Sequence, residues 1–87
     1  MHYVYVLQSE VDGRFYTGCT HDLRTRFQQH NDGKVPATQQ RTPLKLIYYE
    51  ASLSADDAFR REKYLKTTYG KRYLKSRLRC YFTGQAS

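Results

Sequence analysis

Tyr3-Val4-Tyr5-Val6-Leu7 is an unbroken run of β-branched, aromatic and aliphatic residues, and it constrains the fold more than any other stretch of the chain. Such side chains fit a pleated surface and lose rotamer freedom in a helix, so the run is read as a strand. Asp12-Gly13 follows as a turn signal, because glycine supplies the positive φ of a tight hairpin turn. Arg14 to Cys19 then reads as the returning strand. The chain therefore opens with a β-hairpin. Its longest apolar run, Tyr3 to Leu7, is far too short to span a bilayer.

Downstream, Asp22 or Thr20 can cap a helix running to about Asn31, and Gly33 suits its C-terminal stop. Residues 31–43 are polar and include Pro36 and Pro43; a loop this long in a small domain is often functional. Leu44 to Glu50 reads as a third strand. Ser54 with Asp57 makes a capping box for a helix from about Ala55 to Thr68, and Gly70 breaks that pattern. A third, very basic helix is expected from about 71 to 81. The order ββαβαα describes an α/β (α+β) fold. With no repeat, low-complexity segment or linker, residues 1–87 read as one domain, its core at about 3–66. A chain of this size buries only about 60% of its unfolded surface, so the core is modest.

Lys plus Arg number 15 against 8 Asp plus Glu, a formal charge of +7. That balance favours a polyanionic partner such as nucleic acid, and no membrane association is expected. The N-terminus shows no basic segment followed by an apolar one, so no secretory signal is read. Cys19 and Cys80 lie far apart without metal-binding spacing and read as two buried free thiols in a reducing compartment, the cytoplasm. Nine tyrosines and four phenylalanines supply core packing, with some available to stack on bases.

Two helices break their own apolar pattern. Leu23 and Phe27 form a stripe, and Arg26 and His30 share its side at spacings of three and four. Ala55, Ala58, Phe59 and Leu65 form a second stripe, on which Glu62 falls. A buried charge is costly unless it is paired or used. Two readings stand: an Arg26–Glu62 salt bridge at the edge of the core, or an active site. Tyr5 and Tyr16 sit mid-strand in the hairpin, where both can point to one face. Gly18 follows two residues after Tyr16, and a strand glycine often marks a close approach by backbone or ligand. Taken in isolation, ordinary cross-strand aromatic packing is the better account of the tyrosines.

Taken together, these residues resemble the GIY-YIG nucleases. Tyr3-Val4-Tyr5 stands at the first triplet and Tyr16-Thr17-Gly18 at the second, with Tyr3 in place of glycine and Thr17 in place of isoleucine. Leu23-Arg24-Thr25-Arg26-Phe27-Gln28-Gln29-His30 resembles the helix in which an arginine precedes a histidine by four residues. Ala58-Phe59-Arg60-Arg61-Glu62-Lys63 resembles the helix carrying the metal-binding glutamate. The resemblance covers roughly Tyr3 to Lys66 and is to short bacterial proteins made of the nuclease domain alone. It implies a three-stranded antiparallel sheet flanked by helices. It also implies a phosphodiester endonuclease using one Mg²⁺ or Mn²⁺, acting on DNA in repair or recombination, with RNA left open.

On that resemblance the catalytic set is Tyr5, Tyr16, Arg26, His30 and Glu62. Glu62 takes the metal, since a hard cation that keeps several waters needs few protein ligands. Arg26 faces the charge developing on phosphate. Tyr16 aligns or deprotonates the attacking water, which requires a nearby cation to favour its phenolate. Tyr5 hydrogen-bonds the phosphate or the water. His30 reads as a second base, an orienter of Tyr16, or a helix-end residue favouring the dipole; His2 and His21 read as surface residues.

Nine of the fifteen basic residues lie in 60–79, offset there by Glu62 alone. Arg60, Arg61, Lys63, Lys66, Lys71, Arg72, Lys75 and Arg79 are read as a sequence-independent phosphate track, bracketed across the site by Lys34, Arg41 and Lys45. A merely solvated face is the plainer reading of the same charges. Two other functions compete with cleavage, a non-catalytic nucleic-acid-binding module and an aromatic protein-interaction surface. The chain is expected to be a monomer or weak dimer.

Overall fold

The structure is a computed structural model that describes residues 1–84; positions 85–87 of the expected 1–87 domain lie outside the described residues. Its elements are β1 (His2–Ser9), β2 (Phe15–Thr20), α1 (Leu23–Asn31), β3 (Leu44–Ser52), α2 (Ala55–Leu65), α3 (Thr68–Arg77) and α4 (Arg79–Thr83). The strands form one antiparallel sheet in the order β2-β1-β3. Among the described residues no helix is long and apolar enough to cross a membrane.

β1 is central, and Val4, Tyr5, Val6 and Leu7 are all buried. Successive strand residues point to opposite faces, so this run requires cover on both. Val4 and Val6 pack with Ala58 and Leu65 of α2 and Leu74 of α3. Tyr5 and Leu7 pack on the other face with Leu44 and with Leu23 and Phe27 of α1. The β1–β2 turn uses Gly13 at φ +72°, and Ser9 Oγ accepts from the amides of Val11 and Asp12. Between Val6 and Leu7 the register on β3 shifts from Tyr48 to Leu46, leaving Ile47 as a bulge.

Local chemistry explains the helix ends. Asp22 caps α1 by accepting from Thr25 N at 3.2 Å, while Thr20 Oγ1 accepts from Asp22 N at 3.1 Å. Asp22 is thus the cap and Thr20 its support. Ser54 occupies the N-cap position of α2 but makes no side-chain capping bond, so the expected capping box does not form. Asp56 and Asp57 instead place negative charge at the positive end of the helix dipole.

The C-terminal helices depart from the expected boundaries. α2 stops at Leu65, α3 begins at Thr68 rather than 71, and Tyr81 falls in the separate α4. Gly70 does not break a helix; it sits in the first turn of α3, where its amide donates to Thr67 Oγ1. A Cβ at Gly70 would collide with the carbonyl of Tyr64 and the Cα of Leu65, so glycine serves close approach of α3 to the end of α2. Phe59, expected in the core stripe, is half-exposed, while Arg61 is half-buried. α4 returns to the hairpin, with Phe82 stacked on Phe15 at 5.6 Å and Tyr81 Oη donating to Gln8 at 2.6 Å.

Gly70→Ala is expected to lower unfolding stability by about 2 kcal/mol, the scale of an overpacked contact, read by chemical denaturation. Gly84→Ala, with open space around it, suffers only the backbone penalty of its positive φ.

Candidate active site

Tyr5 pairs with Gly18 across β1 and β2, and Tyr16 pairs with Leu7 two positions along on the same face. Because partners share a face, the Tyr5 ring passes over the bare Cα of Gly18; a Cβ there would strike the ring's hydroxyl end. The missing side chain lets Tyr5 reach the outer strand, where its ring lies 6.4 Å from that of Tyr16. The last turn of α1 adds His30, whose Nε2 is 2.8 Å from Tyr5 Oη and whose ring is 5.0 Å from that of Tyr16. His30 Nδ1 is 2.8 Å from Thr38 Oγ1, and both His30 and Thr38 are fully buried. Arg26, one turn earlier, is half-buried and donates to Gln29 Oε1 at 3.2 Å.

Burial raises the Tyr5 hydroxyl above its ordinary pKa, opposed by the Arg26 guanidinium beside it and reinforced by Tyr16 and Glu62. Burial, and secondarily the Arg26 charge, pull His30 down to about 4. His30 is therefore a neutral imidazole at neutral pH, bonded to Tyr5 rather than positioned by the helix dipole at the surface. The hydrogen bond that the orienting role requires goes to Tyr5, not to Tyr16.

Glu62 approaches from the opposite side of the sheet, on α2. Its Oε2 accepts from Lys66 Nζ at 3.1 Å, and Oε1 has no hydrogen-bond partner among the described residues. Its charge reaches the Tyr5 hydroxyl and raises Cys19 after the larger effect of burial. Among the described residues β2 has no strand on its outer side, and Glu62 makes no hydrogen bond to the Tyr5 face; its charge alone reaches Tyr5 and Cys19. The Arg26–Glu62 salt bridge does not form: Arg26 is bonded to Gln29 and Glu62 to Lys66. Among the described residues no group of three or more His, Cys, Asp or Glu could hold a metal ion. A single carboxylate still fits an ion that retains most of its waters.

A cleft of about 270 Å³ beside this edge is lined by Tyr16, Lys66 and Lys71 over Phe15, Leu65 and Leu74. A larger hollow of about 470 Å³ lies between α1 and β3 and touches none of the five catalytic candidates. The convergence of polar groups, not size, marks the site.

The basic residues divide. Arg41 is held inside the fold: Nη2 donates to Phe15 O at 3.4 Å, and Nε lies 3.4 Å from Asp12 Oδ2 without hydrogen-bond geometry. Arg61 Nε donates to Glu50 Oε1 at 2.6 Å, and its guanidinium lies 5.0 and 4.7 Å from the rings of Tyr64 and Tyr73. Both were expected on the phosphate track, and both are committed to partners that sequence spacing does not show. Lys45 sits 4.0 Å from Glu10. Lys34, Arg60, Lys63, Lys71, Arg72, Lys75 and Arg79 are exposed. Thr38, absent from the sequence-derived set, carries no signal beyond its place in the long loop.

The family model described as the GIY-YIG catalytic domain matches residues 1–77, a span that includes all five catalytic candidates. A UPF0213 protein of Streptococcus agalactiae serotype V is 45% identical over 65 residues, 74% of this chain and 73% of that protein. Another, from Halobacterium salinarum, is 42% identical over 67 residues, 76% of this chain and 86% of that one. The solution NMR structure of a UPF0213 protein from Bacillus halodurans has a TM-score of 0.55 and 37% identity, covering 86% of this chain and 82% of its own.

The depressed His30 pKa makes stability depend on pH with a definite sign. The unfolded chain binds a proton at His30 near pH 6.5, the folded chain only near 4. Stability from this group is therefore present above about pH 6.5 and lost as pH falls toward 4, by an amount on the order of 3 kcal/mol. Denaturation of wild type and His30→Gln across pH 4–7 is expected to show a flatter slope in the variant.

Proposed function

The chain belongs to the GIY-YIG catalytic-domain family, a nuclease family whose members typically use divalent metal ions, and we propose that it is an endonuclease hydrolysing DNA phosphodiester bonds with one Mg²⁺ or Mn²⁺. The observation that carries this reading is the gathering of Tyr5, Tyr16, Arg26 and His30 on one face, with Glu62 arriving from the other. A module that only bound nucleic acid would need neither a buried tyrosine–histidine pair nor a carboxylate set against the phosphate's charge.

In this reading Arg26 holds the phosphate and stabilises its developing negative charge, as a guanidinium that stays charged in a half-buried site can. Tyr16, half-exposed on the edge strand, aligns the attacking water. Tyr5 is held against His30 and presents its hydroxyl to the phosphate. Glu62 is the residue that would hold the metal, exchanging its contact with Lys66 for the ion. When bound there, the ion supplies Lewis-acid stabilisation of the phosphoryl oxygen and the leaving group.

Lys63, Lys71, Arg72, Lys75 and Arg79 form the proposed phosphate track, with Arg60 and Lys34 flanking it and Lys66 and Lys45 recruited from weak surface pairs. No element presents a base-reading pattern, which supports structure-selective or weakly sequence-selective binding. Repair or recombination in the cytoplasm, by a monomer or weak dimer, is the proposed setting; it rests on the resemblance and on two cysteines that are not disulfide-bonded, although Cys19 is only half-buried and Cys80 is exposed rather than buried as expected.

Incubation with plasmid, single-stranded and branched DNAs is expected to give cleavage only with Mg²⁺ or Mn²⁺. Glu62→Gln and Arg26→Ala should each lower kcat by about 10²- to 10³-fold, the cost of removing one transition-state contact, and Tyr16→Phe should lower it in the same direction. Wild-type protein that binds these DNAs and cuts none would make the chain a non-catalytic binding module instead.

Binding is expected to weaken steeply with salt. Lys75→Ala should reduce the slope of log K against log[salt] by about 0.9 on duplex DNA, one counterion per phosphate contact. A slope unchanged by Lys75→Ala, Lys71→Ala and Lys63→Ala would remove the track.

A further inference from the structure

We propose that Thr38 is a positioning residue that fixes the tautomer of His30 and so turns the hydroxyl proton of Tyr5 outward, toward the bound phosphodiester. The last step rests on the nuclease reading; the tautomer does not.

The argument is one of proton accounting. Thr38 Oγ1 is fully buried, and its one hydrogen-bond partner among the described residues is His30 Nδ1, 2.8 Å away. A hydroxyl carries a single proton that needs an acceptor, and a buried donor left without one is strongly disfavoured. Thr38 therefore donates and His30 Nδ1 accepts. A neutral imidazole with an accepting Nδ1 carries its proton on Nε2. Nε2–H then donates to Tyr5 Oη, 2.8 Å away. Doubly protonated His30 would leave the Thr38 proton stranded and would add a second cation beside Arg26. The reverse tautomer strands the same proton.

With His30 donating to it, Tyr5 does not spend its own proton on the histidine. Arg26, a donor without acceptor capacity, lies beside the same hydroxyl. The Tyr5 O–H is then the one proton of the chain without an acceptor among the described residues, and it is met from outside the fold: the ring crosses Gly18 toward the open edge of β2, where water or a phosphate oxygen can accept, whereas Thr38 is wholly enclosed. Burial keeps that hydroxyl protonated at neutral pH. Tyr5 is thus a fixed hydrogen-bond donor to a phosphate oxygen, and His30 acts through it without accepting a proton.

Thr38 is itself held from both sides. Its amide donates to Val35 O at 3.0 Å and its carbonyl accepts from Arg41 N at 2.9 Å. Arg41 in turn is anchored through its carbonyl, which accepts from Ser9 Oγ at 2.7 Å. The long loop before β3 thereby brings a hydroxyl to the one nitrogen whose protonation sets the direction of the chain.

The experiment is two-bond ¹H–¹⁵N correlation spectroscopy of the uniformly labelled full chain at pH 7, with Thr38→Val and Thr38→Ser alongside. The wild type and Thr38→Ser are expected to show His30 as the Nε2–H tautomer. Thr38→Val should move it toward Nδ1–H. On the DNA that the wild type cleaves best, Thr38→Val should lower kcat about tenfold with KM little changed, and Thr38→Ser should restore it. An Nδ1–H or imidazolium pattern in the wild type overturns the proposal whether or not the chain cuts DNA. An unchanged tautomer in Thr38→Val overturns it too, and a changed tautomer with wild-type kcat overturns the outward role of Tyr5. If Thr38→Val does not fold, the wild-type and Thr38→Ser spectra decide. Absence of cleavage with the expected tautomer sinks the nuclease reading and leaves the hydrogen-bond direction standing.

Discussion

Val4, Tyr5, Val6 and Leu7 are shielded from water on both faces of a three-stranded sheet, and the remaining architecture answers to that burial. Each such side chain contributes about 1.5–3 kcal/mol when fully buried, a large share of the 5–15 kcal/mol that keeps a typical domain folded. One helix cannot cover both faces, so α1 takes the Tyr5 side and α2 with α3 the Val4 side. Chemistry placed on opposite covers can meet only around an open strand edge. β2 is one such edge, and Gly18, having no side chain, lets the Tyr5 ring reach it.

The polar groups in this dry interior follow the same logic. Tyr5 brings a hydroxyl into the core and His30 two nitrogens, and each must be hydrogen-bonded there. The Thr38–His30–Tyr5 chain meets that demand while aiming a hydroxyl at the edge. Stability and the proposed chemistry draw on the same bonds, so substitutions at His30 or Thr38 act on both. Arg41 and Arg61 show the opposite allocation. Each is a cation in a strongly basic chain, yet each is spent on architecture, one clasping the long loop to the hairpin and the other wedged between Glu50 and two tyrosine rings.

Residue type made the three strands and the antiparallel hairpin legible, because β-branched and aromatic residues flank an Asp-Gly turn. Their ends were less so: His2, Gln8 and Ser9 join β1 through backbone pairing, which side-chain type does not report. Helical periodicity placed Arg26 and His30 on one face, and the glycine after Tyr16 marked the close approach that Tyr5 makes. Gly70 was misread because a helix-breaking glycine and a close-packed one are the same letter. Ser54 likewise fits a capping motif without making its bond. Thr38, Glu50–Arg61 and Arg41–Asp12 were out of reach. Each depends on how separate elements dock, and local pattern carries no trace of that. The pairing of Glu62 with Lys66 one turn on, by contrast, is simple helical spacing.

The bulge at Ile47 has a consequence for how copies of this protein meet one another. β3 is the longer free edge of the sheet, nine residues of backbone with no strand beyond it among the described residues. A flat edge of that length is a template for pairing with a second chain and, from there, for aggregation. The extra residue interrupts the even spacing of donors and acceptors, and bulges of this kind add twist, so the edge does not offer one uninterrupted ladder to a second copy. The net charge of +7 on each copy opposes the same approach.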